Sequence, residues 1–327
     1  MDCLNQTKCL SDFPTTLPST TDIIVYQTYA ERQLVASMLA IIAIIAFFGN
    51  GLVVVSVILS KKLRTITNVF VVNLSVADLF TALNLPWLVI GVLSPEGWPL
   101  PDKLCVFGAF MMICCLGCSA TTLACIALNR LVLITRPKTT FQWLYTQKKV
   151  SAMLLFTWGI PASIAIVPLV SPIGELGFDT RYYTCSWKTS DPNTGIYSIL
   201  VSVAFYPIQL TIIILSYVLI VRHIRKHTKS IIPDEAPSVS GGIQTTRESG
   251  VQKRIRRRQV DVTKNLFYVV CAYLICLTPY CVILVVPGGH EVVMYVAIIL
   301  MFNSCINPFI YATKHPDFKK VFRCILF

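Results

Sequence analysis

The fold of this chain is decided by stretches such as Leu34–Ser60, LVASMLAIIAIIAFFGNGLVVVSVILS, which contains no charged side chain. A helix needs about 20 apolar residues to cross the hydrocarbon core of a bilayer, because each residue adds about 1.5 Å of length. A helix of a soluble protein would show polar residues on one face every turn or two. The stretch therefore predicts a transmembrane helix.

Six further stretches share this character, and all seven together contain a single carboxylate, Asp78. The six are Asn68–Ser94, Leu104–Asn129, Val150–Gly174, Pro192–Val221, Asn265–Gly289 and Val292–Thr313. A hydrophobic fraction of 55% and a charged fraction of 13% agree with a membrane protein. We predict an all-α membrane protein, a seven-transmembrane helix bundle over residues 33–313, with no separate soluble domain. The polar start of the chain offers no cleavable signal peptide, so the first crossing is expected to direct insertion.

The charges predict the orientation of the bundle. Of the 28 lysines and arginines, five lie in the N-terminal tail (residues 1–32) and the loops on its side of the membrane, and the other 23 lie on the opposite side or at its border. Cationic segments stay in the cytoplasm, so the N-terminus is expected outside the cell at the plasma membrane. This asymmetry also explains the net charge of +12, and it argues against a nucleic-acid partner.

Cysteines and a sequon add expectations for the outer side. Cys105 and Cys185 both fall outside the membrane, where a disulfide between them would hold the long outer loop over the bundle. A second bridge, between Cys3 and Cys9, stays open. Asn5 begins a glycosylation sequon in the outer tail.

Two segments are expected in the cytoplasm. Residues 222–259 form a third cytoplasmic loop whose middle is rich in Ser, Gly, Pro and Thr and reads as disordered. Its basic ends suit contact with anionic lipid, a cytoplasmic protein partner, or both. Residues 314–327 alternate apolar and cationic side chains, which predicts an amphipathic helix lying on membrane lipid.

Polar side chains within the crossings are costly and point to function. Asp78, Ser119, Asn303, Ser304 and Asn307 are expected at one depth. Such oxygens could hold a small cation such as sodium, or the acid could be protonated within a structural hydrogen-bond network. The sequence leaves these two interpretations open.

Helix breakers mark two later crossings, and an arginine ends the third. Pro279 and Pro308 are each expected to kink a helix. Tyr311 follows Pro308 by about one turn. Arg130, taken alone, could simply extend to the membrane interface.

Taken together, these features resemble the rhodopsin-like family of G-protein-coupled receptors from Gly49 to Phe322. The shared motifs are Gly49-Asn50, Asn73-Leu74 with Asp78, Trp98 before Cys105, Arg130, Trp158, Pro279 and Asn307-Pro308 with Tyr311. The resemblance implies an outer ligand pocket that drives an outward swing of the sixth helix and opens a cleft for a heterotrimeric G protein. It implies that Arg130 contacts the G protein and that Tyr217 or Tyr311 steadies the open state.

The chain departs from that pattern at its switch residues. Asn129 and Leu131 flank Arg130 where the family usually has an acid and a tyrosine, and no acid stands at Gln259. Leu277 replaces the tryptophan expected before Pro279. Because Arg130 lacks these acidic partners, we predict an inactive state that is only weakly stabilised (a weak latch) and therefore some basal signalling.

The resemblance also implies a ligand pocket. Its residues are Met112, Ile113, Leu116, Tyr280, Leu284, Ala297 and Met301. Met112 stands where receptors for amines carry an aspartate, and Met301 stands where opsins carry their retinal-binding lysine. A neutral or lipid-like small molecule such as an indole fits this composition, and a peptide is the alternative because the outer loops are acidic and aromatic.

Near Arg130 the chain is similar to melatonin receptors and related orphan receptors, although these usually have alanine where Pro308 stands. Cys324 follows the amphipathic segment and suits palmitoylation, with prenylation as the alternative.

Other classes of function are less well supported by the residues. An ion- or proton-coupled transporter is the alternative, but it would need more ionisable residues than Asp78 along its path. An enzyme is not expected, because no crossing carries paired acids, a metal-binding cluster or a Ser/His pair.

Overall fold

The computed structural model describes residues 28–229, 267–283 and 292–326. Ten α-helices and one two-stranded sheet lie within these ranges. They are α1 (Tyr29–Leu59), α2 (Ile66–Leu93), α3 (Asp102–Thr135), α4 (Lys138–Leu144), α5 (Gln147–Val170), β1 (Leu176–Asp179), β2 (Thr184–Trp187), α6 (Thr194–Phe205), α7 (Pro207–Lys229), α8 (Phe267–Ile283), α9 (Val293–Lys314) and α10 (Pro316–Leu326). A 3-10 turn, Lys61–Leu63, connects α1 to α2.

The long helices match the predicted crossings. Within the described residues, six helical spans are long and apolar enough to cross a membrane, and α8 is a shorter apolar helix of the remaining stretch. Their outward faces carry large apolar side chains such as Phe48, Leu155 and Ile275, which are 69%, 75% and 70% exposed. A bilayer solvates such side chains, so the long apolar helices with an apolar exterior confirm a multi-pass membrane bundle.

The fifth stretch, expected as one helix, is divided in the structure. The last turn of α6 ends at Tyr206, and α7 begins with Pro207. A proline has no N–H to continue the hydrogen-bond ladder, so the break falls immediately before it. Kinks were expected only at Pro279 and Pro308, which lie within α8 and α9.

Gly49 allows α1 to pack closely against α9. A Cβ atom at this position would lie 3.0 Å from the ring of Pro308. The amide of the next residue, Asn50, donates to the carbonyl of Ser304 at 2.9 Å. A small residue and a buried amide thus join two helices, as is usual where no hydrophobic effect drives association.

A β-hairpin covers one end of the bundle, which we call the hairpin end. Its strands pair antiparallel, with Leu176 opposite Trp187 and Asp179 opposite Thr184. The Cys105–Cys185 disulfide joins β2 to the first turn of α3, as predicted. The carboxylate of Asp179, which is 2% exposed, accepts backbone N–H bonds from the turn and stabilises it.

The opposite end, which we call the Arg130 end, is closed by α4 and α10. Lys62 forms a 3.1 Å ion pair with Asp317 at the start of α10. Phe318 of α10 is fully buried and stacks on Tyr311 of α9, with ring centroids 5.5 Å apart. A helix is therefore present within the segment predicted over 314–327, with Phe318 and Phe322 buried against the bundle and Ile325 exposed.

Candidate ligand cavity and polar network

A cavity of about 560 Å³ lies within the bundle, beneath the hairpin. Six of the seven predicted pocket residues line it: Met112, Ile113, Leu116, Tyr280, Ala297 and Met301. The seventh, Leu284, lies outside the described residues. This volume is in the usual range for sites that bind small molecules.

Two parts of the cavity wall were not predicted from the sequence. The hairpin contributes Arg181, Tyr182, Thr184, Ser186 and Trp187, whose positions depend on a loop conformation that the residues alone do not reveal. Burial raises the pKa of Tyr182, so its phenol remains neutral.

The second missed part is α6, which contributes Thr194, Ser198 and Ser202. These three hydroxyls are spaced four residues apart and therefore lie along one face of the helix. Their position on one face of the helix could have been predicted from that spacing in the sequence.

The floor of the cavity is a polar network around Asp78, which is 1% exposed. One carboxylate oxygen accepts bonds from the hydroxyls of Ser119 at 3.3 Å and Ser304 at 3.0 Å. The other oxygen accepts a bond from the amide of Asn307 at 2.8 Å. The structure thus brings together residues of α2, α3 and α9 that the sequence placed at one depth.

Asn303 lines the same cavity without a recorded bond to Asp78. Within the described part of the chain, its Oδ1 atom is buried and has no hydrogen-bond partner. Asn303 thus lines the same cavity as Asp78, Ser119 and Ser304, and amide, carboxylate and hydroxyl oxygens are the ligands that hard cations prefer. The donor set fits a sodium ion.

A second polar cluster joins α2, α3 and α5. The amide nitrogen of Asn73 donates to the hydroxyls of Thr122 at 2.8 Å and Thr157 at 3.1 Å. Its amide oxygen accepts a bond from the indole of Trp158 at 3.0 Å. The structure thus brings together Asn73 and Trp158, two residues of the quoted sequence motifs.

The next cluster lies at the Arg130 end. Arg130 is 4% exposed and lies within electrostatic range of the phenols of Tyr217 and Tyr311. Among the residues that the structure describes, no carboxylate forms an ion pair with it. Its neighbour Asn129 instead accepts a 2.8 Å bond from the hydroxyl of Thr67. Arg130 of α3, Tyr217 of α7 and Tyr311 of α9 are therefore buried at the same end of the bundle, and Gln259 lies outside the described residues.

At the break in the fifth crossing, the C-terminal end of α6 forms a hydrogen bond with α8. The hydroxyl of Tyr206 forms a 2.9 Å hydrogen bond with that of Thr278. Thr278 lies between Leu277, which lines the cavity, and Pro279. This bond links the two proline-interrupted crossings at the depth where the expected tryptophan is missing.

Of the predicted modification sites, the structure describes only Cys324. Cys324 is exposed on α10, where an acyl chain could reach the bilayer. Asn5 lies outside the described residues, as do Cys3 and Cys9.

Comparison with known proteins adds three findings. Residues 49–311 match the model of the seven-transmembrane receptor (rhodopsin family). The chain is 28% identical to the GQ-coupled rhodopsin of Mizuhopecten yessoensis, over 88% of this chain and 58% of that protein, so it spans little more than half of that relative's length. It is 29% identical to melatonin receptor type 1A of Phodopus sungorus, over 89% of this chain and 80% of the receptor.

Solved structures give the same fold. The structure of squid rhodopsin matches with a TM-score of 0.76 at 20% identity, over 91% of this chain and 86% of that one. At this identity the match supports the bundle architecture alone.

Proposed function

This chain belongs to the rhodopsin family of seven-transmembrane receptors, the G-protein-coupled receptors, and we propose from this premise that it responds to a neutral or lipid-like small molecule. The observation that carries the proposal is the cavity beneath the hairpin, with its apolar walls from α3 and α9. A ligand held there would contact Leu277 of α8, the helix whose outward swing the family uses to open its G-protein cleft.

Two common ligand types of the family fit this cavity poorly. A protonated amine would find Met112, which is 8% exposed, where an aspartate would be needed. Retinal would need a lysine, and Met301 stands at that position. Opsins and an octopamine receptor are among the relatives, yet their ligands are disfavoured here by these two side chains. A peptide remains the alternative within the same class.

The Arg130 end is the proposed docking face for the G protein. Arg130, Tyr217 and Tyr311 are buried together there, and Arg130 has no acidic partner among the described residues. We expect a guanidinium of this kind to be released readily toward the G protein, giving basal signalling. We propose that this end faces the cytoplasm and that the hairpin end faces outward at the plasma membrane, and the distribution of lysines and arginines supports this orientation.

The network at Asp78 is proposed as a sodium site. Asp78, Ser119, Ser304 and the unpaired oxygen of Asn303 supply the ligands, and Asn307 orients the carboxylate. In this role the ion would neutralise a buried charge at the cavity floor.

The test is a ligand screen on cells that express the full chain, read as dissociation of G-protein subunits. Neutral indoles including melatonin, uncharged lipids and short peptides form the panel. We expect a neutral small molecule to activate the receptor, and Arg130→Ala to abolish the response at equal surface expression. Ion flux without nucleotide exchange would instead identify a transporter.

A pair of variants on α3 locates the ligand. Leu116→Trp places an indole into the cavity and should remove the response, since Leu116 lines the wall. Leu128→Trp is the matched control, because Leu128 lies on the same helix and is 40% exposed on the outside of the bundle. Equal effects of the two substitutions would argue against a ligand in this cavity.

A further inference from the structure

Arg130 and Arg32 are the two buried arginines among the described residues, and their surroundings differ. The guanidinium of Arg32 lies over the ring of Tyr183 at 3.9 Å, so the π face of that ring stabilises its charge. The guanidinium of Arg130 has no ion pair, hydrogen bond or ring contact within the described ranges. Its charge is therefore buried without the partner that such a charge needs.

No carboxylate of the described residues forms an ion pair with Arg130. Eight carboxylates lie in these ranges. Six of them belong to the hairpin end: Glu31, Glu96, Asp102, Glu175, Asp179 and Asp191. Of the other two, Asp78 accepts three bonds at the cavity floor, and Asp317 is paired with Lys62. A counter-charge for Arg130 must therefore come from outside these residues.

The polar groups around Arg130 suit a negative charge. The phenols of Tyr217 and Tyr311 lie within electrostatic range of the guanidinium and of each other. Both hydroxyls are buried, and neither has a hydrogen-bond partner in the part of the chain that the structure describes. Their rings contact Phe267 and Phe318, with centroids 5.0 and 5.5 Å apart, so the O–H bonds can turn while the rings stay in place. Hydroxyl dipoles orient in a local field, and these two can direct their hydrogens toward an anion.

A small ion can reach the guanidinium. Arg130 lies near the end of α3, and of its three guanidinium nitrogens Nε is fully enclosed, whereas the two terminal nitrogens retain some accessible surface. Because the side chain is almost completely buried, the space beside it admits only an ion of few atoms. One guanidinium charge is balanced by one negative charge, since an excess charge of either sign would be costly to bury. A monovalent anion such as chloride meets both conditions.

We propose that Arg130 binds a small monovalent anion, represented by chloride, as an exchangeable counter-ion of the resting bundle. The terminal nitrogens donate charge-assisted hydrogen bonds to the ion, and the dipoles of Tyr217 and Tyr311 turn toward it. An ion that exchanges with solution holds Arg130 less firmly than an acidic side chain would, which agrees with a weak latch. The site needs neither a ligand in the cavity nor a G protein, so it goes beyond the proposed function.

The experiment measures thermal unfolding of the purified full chain in detergent while sodium gluconate is replaced by sodium chloride. Sodium concentration and ionic strength stay constant, so neither occupancy at Asp78 nor screening changes. An anion that binds only the folded chain raises the unfolding temperature in a saturable way, and gluconate is too large for the site. We expect chloride to raise the unfolding temperature to a plateau.

Four variants assign the effect to one arginine. Arg130→Gln should abolish it, because loss of a charged hydrogen-bond donor weakens binding about ten- to hundredfold. Asn129→Asp places a carboxylate beside Arg130, which should compete with chloride and weaken its binding by a similar factor. Tyr217→Phe should weaken binding about two- to tenfold, as expected for one neutral donor. Arg32→Gln is the matched control, because it removes the other buried arginine and should leave the chloride effect unchanged.

Three results would overturn the proposal: equal unfolding temperatures in chloride and gluconate, a chloride effect that persists in Arg130→Gln, or one that disappears in Arg32→Gln. If Arg130→Gln does not fold, Asn129→Asp decides, and undiminished chloride binding by that variant would equally overturn it. A chain that shows the chloride effect and activates no G protein would contradict the proposed function alone.

Discussion

Replacing Gly91 with alanine tests how the hairpin is seated on the bundle. A Cβ atom at position 91 would lie 2.5 Å from the backbone carbonyl oxygen of Tyr183 and 3.4 Å from the ring of Phe178. The carbonyl cannot rotate away as a side chain could, because Tyr183 has a positive φ of 51° in a turn that Asp179 holds by backbone bonds. Either α2 or the hairpin must shift.

The steric cost can be estimated against a control. Inserting one carbon into a packed site costs about 1–3 kcal/mol. Alanine in place of glycine in a helix also gains up to about 1 kcal/mol from propensity, which would mask part of that cost. Gly51→Ala isolates the propensity gain, because a Cβ at Gly51 of α1 meets nothing within 4 Å. The difference between the two variants is therefore the steric cost alone.

The assay is thermal unfolding of the two purified variants in the same detergent and at one scan rate, since membrane proteins often unfold irreversibly. At about 2–4 °C per kcal/mol, Gly91→Ala should unfold about 2 to 12 °C below Gly51→Ala. Equal midpoints would mean that the hairpin does not rest on α2 as described, and the reasoning would be wrong.

Four further outcomes follow from the polar contacts. Asn129→Asp should lower basal G-protein activation by giving Arg130 a charge partner, and an unchanged or raised basal signal would contradict the weak latch. Tyr206→Phe and Thr278→Val should each cost about 0.5–1.5 kcal/mol of stability, and the double variant should cost no more than the larger single effect, as thermal unfolding of all three will show. Asn73→Ala should cost more than about 2 kcal/mol in the same assay, because it removes three buried bonds at once. Asp78→Asn should abolish any increase of the unfolding temperature by NaCl over KCl, and a persisting increase would exclude sodium at this site.

Much of the architecture could be predicted because the bilayer imposes length and polarity. The crossings followed from uninterrupted apolar runs, and the Cys105–Cys185 bridge followed from two cysteines on one side of the membrane. The convergence of Asp78, Ser119 and Ser304 followed from the cost of burying polar groups in lipid. In each case one strong physical constraint acts on the residue itself.

Other features depend on tertiary context and could not be predicted. The hairpin is formed by two four-residue strands, and the disulfide and the buried Asp179 carboxylate attach and stabilise it. The break at Tyr206 could have been anticipated from Pro207, but its bond to Thr278 depends on how two crossings pack.

Helix α3 carries a mechanical consequence of its composition. It runs without a proline from Asp102 to Thr135, whereas α2, α5, α8 and α9 each contain at least one. A proline-free helix behaves as a stiff rod, with Cys105 near one end and Arg130 about 37 Å away near the other. Because the disulfide fixes the hairpin to this rod, a force on the loop tilts the far end as a lever does. Reduction of the Cys105–Cys185 bond should therefore change the position of Arg130 at the other end of α3, even when no ligand is bound.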